Sequence, residues 1–164
     1  MRQDAVQTSS TSSDSQLICF KLGEEEYGVH IMHIKEVIKH QKIMPLPKAP
    51  SFVEGVINLR GMVIPIIDLR KRFGLPAEVN RATKIIIVQV ENRILGLVVD
   101  DVTDIITLPH DSLLPPPKMI KGEDVEYLDG VANISEGGLL FILSIDKILT
   151  AEEKGTLSLP LKQN

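Results

Sequence analysis

Three histidines and three aspartates come nearest to the spacing of a chemical site. They are His30, His33, His40, Asp100, Asp101 and Asp104. The histidines lack a Cys or carboxylate ligand at a recognised spacing, and on a strand–turn–strand their side chains would diverge, so a metal site is not expected. Successive strand residues face opposite ways, and Asp100-Asp101 is more simply a turn than an acid–base pair. NLRG lacks the glycine spacing and the lysine of a phosphate loop. We therefore expect no catalysis, metal, nucleotide or cofactor.

The composition predicts an ordinary soluble, cytoplasmic protein. Cys19 is the only cysteine in 164 residues; it lies in the apolar run LICF, without an activating neighbour, and should be a buried, inert thiol. The 18 basic and 22 acidic side chains give a formal charge of −4, which indicates no strong attraction to nucleic acid or anionic lipid. No signal-peptide core is present, and no apolar run approaches the ~20 residues of a membrane span.

A polar turn in the stretch GVINLRGMVIPIIDL could display a binding residue. Gly61 supplies the positive φ of a tight hairpin turn, and the Asn58 side chain can bond its own backbone. Arg60 is then either a solvated turn residue or a displayed one, and the residues alone leave both open. After this stretch Asp68 is a candidate N-cap for a short helix, with the basic run 70–72 on its exposed face.

The elements that must position these residues are short strands. LICFKL, KIIIVQV, RILGLVV and LLFILSI have the β-branched composition of strands, with turns between them. We expect Phe20 to face the core together with Ile18, as Ile86 does with Val88. A second short helix is predicted from Asp146 to Lys154.

Two blocks of sequence recur and predict an internal duplication. At an offset of 68, residues 17–38 align with 85–106, and at an offset of 75, Phe52–Leu59 align with Tyr127–Ile134. The alignment favours strand–turn–strand over a helix for Val29–Ile38. Units of this size have few residues to form a core, so the copies should pack on each other.

The domain organisation follows from this repeat. One domain is expected over 17–155, with one copy at about 17–75 and the other at about 84–150. Residues 1–16, which contain seven Ser or Thr, are predicted to be a disordered tail, and 156–164 a C-terminal tail.

Several stretches resemble the CheW family, the coupling proteins of bacterial chemotaxis. These are LGEEEYGVHIMHIKEVI, MPLPKAPSFVEGVINLRGMVIPIIDLRKRFG, GLVVDDVTDII and YLDGVANI, and the resemblance extends from about Leu17 to Leu149. It implies a mainly β fold: two packed five-stranded SH3- or OB-like β-barrel subdomains about a shared core, with short helices after each copy and room for strand exchange. It also implies a non-enzymatic adaptor, a monomer when free, that joins cytoplasmic chemoreceptor tips to the regulatory domain of the histidine kinase CheA. It further implies that the protein binds no nucleic acid and does not insert into a membrane.

The resemblance also implies contact residues. For the receptor they are Ile34, Glu36, Gly55, Arg60, Gly96 and Val102, and for the kinase they are Val37 and Ile38. The repeat partners Ile34 and Val102 could form an apolar floor, while Glu36 and Arg60 would give opposite charges at the rim. The two glycines would admit a partner helix, or would alternatively serve only bulges or bends.

An oligonucleotide-binding β-barrel is the alternative function. Such barrels use aromatic platforms and a basic groove. This chain has four Phe, two Tyr, no Trp and a net negative charge, which disfavours that function.

Overall fold

The protein is mainly β and forms two sheets with few helices. The computed structural model describes residues 14–49, 53–109, 112–115, 127–134 and 138–148. The predicted tails and the helix beyond residue 148 therefore fall largely outside the described residues. Ser15 and Gln16, predicted to belong to the disordered tail, instead begin the first strand, because they pair with Leu108 and Thr107.

Eleven strands, a 3-10 helix and two short α-helical segments are described below. The strands are β1 (Ser15–Leu22), β2 (Glu25–His30), β3 (Ile34–Lys39), β4 (Val53–Leu59), β5 (Met62–Asp68), β6 (Lys84–Val90), β7 (Arg93–Val99), β8 (Asp101–Leu108), β9 (Leu113–Leu114), β10 (Leu128–Asn133) and β11 (Leu139–Leu143). The 3-10 helix is Ile31–His33, and α1 is Leu69–Arg72. Residues 145–148 are also helical. The prediction of strand–turn–strand for Val29–Ile38 is confirmed.

Each sheet takes strands from both predicted copies. The order in the first sheet is β8-β1-β2-β11-β10-β9, and in the second it is β3-β6-β7-β5-β4. The hairpin β1–β2 thus lies between β8 and β11, and the hairpin β6–β7 lies between β3 and β5. The ladders of the described residues leave both sheets open at their edge strands, so they do not by themselves make two closed barrels, and neither copy forms a sheet of its own.

Irregularities of the strands recur at matching positions. Bulges place Lys35 of β3 and Thr103 of β8 outside the ladder, 68 residues apart, and Glu54 of β4 and Asp129 of β10, 75 residues apart. These separations are the two offsets of the sequence repeat.

The apolar interior consists of three clusters. One draws on both sheets and contains Phe20, Ile86 and Val88, with Tyr127 and Leu143 from the later strands. Each of the other two comes from a single sheet. Because β1 lies inside its sheet with side chains in two clusters, the continuous run LICF is buried on both faces. The predicted core facing of Phe20, Ile86 and Val88 is confirmed, and Ile18 is also buried.

The α1 helix corrects one prediction. Asp68 is its N-cap, as expected, because its Oδ1 accepts the Arg70 backbone N–H at 2.9 Å. The basic run that follows is not an exposed face, since the Arg70 side chain is only 1% exposed. Lys71 remains half-exposed and pairs with Glu54 at 2.6 Å. The physical reason for the burial of Arg70 is that the carboxylates of Asp68 and Asp100 and the Glu78 carbonyl all accept hydrogen bonds from its guanidinium.

Candidate protein-docking site

Arg60 stands on a two-residue hairpin turn between β4 and β5. Both turn residues have positive φ, +52° at Arg60 and +91° at Gly61, as in the primed turns that suit the twist of a hairpin. The Asn58 Oδ1 accepts the Gly61 N–H at 2.9 Å, as predicted. The turn holds the Arg60 side chain outward, and that side chain is 68% exposed.

Glu36 is the ion-pair partner of Arg60. Its Oε2 accepts from the Arg60 Nη2, and its side chain is 31% exposed. Glu36 lies on β3 and Arg60 directly follows β4, and these are the two edge strands of the second sheet, so the ion pair links opposite edges of that sheet. An exposed pair of this kind contributes little to stability, about 0–1 kcal/mol, so its interest lies in presenting two charges to a partner.

The two residues of the predicted apolar floor, Ile34 and Val102, lie on different sheets. Ile34 lies on β3 opposite Val88, and Val102 lies on β8 opposite Phe20. Both are half-buried and pack against the core cluster that the sheets share. Because β3 and β8 are edge strands, each leaves one backbone edge unpaired among the described residues.

Contacts within the chain explain why both predicted positions, Gly55 and Gly96, need a glycine. Gly55 has φ +140°, and an added Cβ would lie 1.9 Å from the Met44 carbonyl oxygen, where Met44 bridges to Val56. A Cβ on Gly96 would lie 2.5 Å from the Cδ1 of Ile66, the residue opposite it on β5. Neither space is open for a partner helix. Gly55 also follows the β4 bulge, which supports the alternative interpretation stated for it.

Val37 and Ile38 point to opposite faces of β3. Val37 packs on the cluster shared by the sheets, and Ile38 packs on the cluster of the second sheet. Their side chains therefore cannot form one patch, and a partner that contacts both would have to meet the strand edge.

The sequence reasoning missed a buried charge network around Arg70. The guanidinium forks onto Asp68, with Nε to Oδ1 at 3.0 Å and Nη2 to Oδ2 at 2.9 Å. Its Nη1 donates to the Glu78 carbonyl at 2.7 Å and to the Asp100 Oδ1 at 3.1 Å. Burial alone would lower the pKa of Arg70, but the hydrogen bonds and charges of both aspartates outweigh it and raise that pKa. The available signal was that Asp68 and Asp100 both stand at the ends of apolar strands.

The candidate chemical residues do not converge. Asp100 serves Arg70, Asp101 lies 3.8 Å from the Lys84 Nζ, and Asp104 accepts its neighbour's backbone N–H. Within the described ranges no three His, Cys, Asp or Glu side chains are placed to hold a metal ion. The pKa of His40 is lowered by burial and by the charge of Arg70, with the acidic neighbours opposing the shift.

The aromatic side chains of the described residues pack on one another. Ring centroids are 6.1 Å apart for Phe20–Tyr27, 5.9 Å for Tyr27–Phe73, 5.5 Å for Tyr27–Phe141 and 6.3 Å for Phe73–Tyr127. The Arg72 guanidinium lies 4.8 Å from the Tyr127 ring centroid. These rings are committed to internal contacts, which counts against a base-stacking platform for oligonucleotides.

We expect Cys19 to resist alkylation in the folded chain. Burial raises the pKa of its thiol from 9.0 to about 11, and the nearby carboxylates of Glu26 and Asp104 add to the shift. Since the thiolate is the reactive form, iodoacetamide at pH 8 should label Cys19 far more slowly in the native chain than in urea. Labelling is measured by mass spectrometry, and equal rates in the native chain and in urea would contradict the burial of this strand.

The fold and site describe a mainly β domain whose exposed features suit contact with other proteins. No helix in the described part of the chain is long and apolar enough to cross a membrane. The model of the CheW-like domain matches residues 16–153, and the chain belongs to this family.

Named relatives agree with that assignment. The chain is 39% identical over 144 residues to the chemotaxis protein CheW of Treponema pallidum (strain Nichols), covering 84% of each chain. It is 37% identical to the chemotaxis protein CheW of Rhizobium meliloti (strain 1021), covering 88% of this chain and 93% of that one. The crystal structure of the scaffolding protein TtCheW from Thermoanaerobacter tengcongensis superposes with a TM-score of 0.74 at 36% identity, covering 80% of this chain and 89% of that one. The chain is thus a scaffold of the chemotaxis type.

Proposed function

We propose that this chain is a non-enzymatic cytoplasmic adaptor that couples the tips of methyl-accepting chemoreceptors to the regulatory domain of the histidine kinase CheA. The observation that carries the proposal is the displayed ion pair Arg60–Glu36 at the edge of the second sheet. Ile34 of the same edge strand and Val102 of β8, an edge strand of the first sheet, are half-buried against the shared core. An apolar floor with two opposite charges can bind the apolar face of a receptor helix and fix its register. Membership of the CheW-like family supports the choice of partners.

The receptor site would be the docking groove, defined by Ile34, Glu36, Arg60 and Val102. Ile34 and Glu36 lie opposite Val88 and Ile87, which belong to clusters on different faces of the second sheet, so the receptor would meet this site at the edge of β3. Gly55 and Gly96 belong to it indirectly. Gly55 lets the Met44 segment lie against β4, and Gly96 lets Ile66 pack beneath β7. Kinase contact would use the outer edge of β3 at Val37 and Ile38, where backbone groups are available for added pairing.

We infer further that the two sheets arose by duplication with strand exchange and curl into small barrels. The matching bulges and the equivalent order of the strands support the duplication. Each sheet has a core cluster made of side chains from its own strands. Side chains on one face of a sheet can bury one another in this way only if the sheet curves around them. The single domain over 17–155 remains part of this proposal.

Arg60→Glu tests the receptor site. We expect receptor binding to fall steeply, because the reversal removes an attraction and places a second carboxylate beside Glu36 at the rim. The melting temperature should hardly change, since an exposed turn position shifts stability by about ±0.5 kcal/mol. A thermal melt and two titrations, one with a receptor fragment and one with the kinase regulatory domain, measure both effects.

The control is Arg81→Glu, the same charge reversal at an exposed loop position outside the docking groove. A double variant, Arg60→Glu with Glu36→Arg, restores the internal ion pair without restoring the original charge pattern, and should stay defective for the receptor. Unchanged receptor affinity for Arg60→Glu would place the receptor site elsewhere. A large loss of stability, with both partners lost together, would make Arg60 a structural residue.

A further inference from the structure

The chain passes between the two sheets at two equivalent points. After β2 it crosses from the first sheet to the second through the 3-10 helix Ile31–His33, and after β7 it crosses back at Asp100. At the offset of 68, Met32 of the first crossing corresponds to Asp100 of the second. Met32 is 78% exposed, whereas Asp100 is hydrogen-bonded to three residues, Lys21, Gly23 and Arg70.

The second crossing is held by what we call the Arg70 clasp, formed by Asp68, Arg70 and Asp100. The Asp100 Oδ1 accepts from the Arg70 Nη1 at 3.1 Å, and its Oδ2 accepts the Gly23 N–H at 2.7 Å. The Asp100 backbone N–H donates to the Lys21 carbonyl at 3.0 Å. The start of β8 is therefore anchored both to α1 and to the β1–β2 turn.

The clasp exists at one of the two equivalent places in the described part of the chain. Ile66 lies opposite Gly55 in one hairpin and Ile142 opposite Gly130 in the other, so the strands after the turns match at an offset of 76. Asp68 and Arg70 then correspond to Ser144 and Asp146. The capping role survives, since the Ser144 Oγ accepts the Lys147 N–H at 3.2 Å, but an acid stands where the guanidinium would be. The crossing at Met32 shows that this fold can change sheets without a clasp.

We propose that the Arg70 clasp is a positioning device for the docking groove, which fixes the start of β8 and with it Val102. Val102 lies two residues after Asp100 and immediately before the bulge at Thr103. A bulge bends its strand and interrupts the ladder, so the direction of β8 beyond it depends on how the strand begins. The proposal rests on the proposed function, because it assumes that Val102 contacts the receptor.

The test is Asp100→Asn, in the full-length chain. The variant keeps the size of the side chain but has one oxygen acceptor for two donors and no charge for Arg70. Asp101→Asn is the matched control, because it makes the same change one residue away, where the side chain faces the Lys84 Nζ at the longer distance of 3.8 Å. Amide hydrogen exchange over β8, a thermal melt, and titrations with a receptor fragment and with the kinase regulatory domain are measured for parent and both variants.

We expect Asp100→Asn to speed exchange at the start of β8 and to weaken receptor binding at least about fivefold, the lower end of typical coupling between sites. Kinase affinity should not change, and Asp101→Asn should behave as the parent. Faster exchange with unchanged receptor affinity would overturn the proposal, because the clasp would then hold β8 without serving the docking groove. A much lower melting temperature with both partners weakened equally would overturn it by making the clasp a requirement of the fold. Absence of receptor binding by the parent itself would instead reject the proposed function.

Discussion

Arg70→Met should lower the free energy of unfolding by about 3–5 kcal/mol, the usual cost of removing one partner of a buried ion pair. Asp68, whose side chain is 4% exposed, would be left as an uncompensated charge, and the Glu78 carbonyl would lose a donor. In chains of this size each kcal/mol lowers the melting temperature by about 2–4 °C, so a thermal melt or urea titration would detect the loss.

Lys71→Met is the matched control for this prediction. It removes the same type of charge from the next residue, but the Lys71 side chain is 43% exposed and its pair with Glu54 lies at the surface, so a change within about 1 kcal/mol is expected. Combining Arg70→Met with Asp68→Asn should recover part of the loss, because it removes the buried charge and keeps an oxygen to cap α1. Equal stability of Arg70→Met and the parent would refute the buried network.

Phe20→Ala is the other change expected to have a large effect, about 3–5 kcal/mol of unfolding free energy. The ring is 0% exposed, belongs to the cluster shared by both sheets, and lies 6.1 Å from the Tyr27 ring. Its removal would leave a cavity between two sheets whose strands are fixed by hydrogen bonds on both sides, which limits collapse. Urea unfolding followed by circular dichroism provides the measurement.

Lys21→Ala is the control for Phe20, since the neighbouring side chain is exposed and should change stability by within about ±0.5 kcal/mol. A loss below about 1 kcal/mol for Phe20→Ala would show that the site closes around the missing ring. Phe20 also lies opposite Val102, so receptor affinity measured on the folded fraction would report how far the docking groove depends on this support.

The predicted site residues met the structure in different ways. Arg60 and Glu36 lie together at the surface, and Ile34 and Val102 both pack on the core cluster shared by the sheets, while their role as one docking floor stays a prediction. The glycines could not be interpreted from their type alone, because the empty space beside a glycine can be filled by a partner or by the chain. Here Met44 and Ile66 occupy it.

The sequence by itself determined the local features of this protein. The β-branched runs became strands, Asp68 capped α1, and Arg60-Gly61 formed the hairpin turn, because periodicity, capping and turn chemistry act between residues close in the chain. The specific motifs also sufficed to indicate the CheW family.

Only the tertiary structure decided which strands share a sheet and which charge is buried. Because the sequence is repeated, β1 and β6 could each pair with a strand of their own copy or with the equivalent strand of the other copy. The local sequence pattern is the same for both choices. In the folded chain β1 pairs with β8 and β6 pairs with β3, so each pairs with a strand of the other copy. Arginine is a residue type usually found at the surface, but Arg70 is buried because Asp68 and Asp100, 32 residues apart in sequence, both bind its guanidinium. Burial of a charge depends on acceptors that converge in space, and their convergence follows from the crossing of the chain between the sheets.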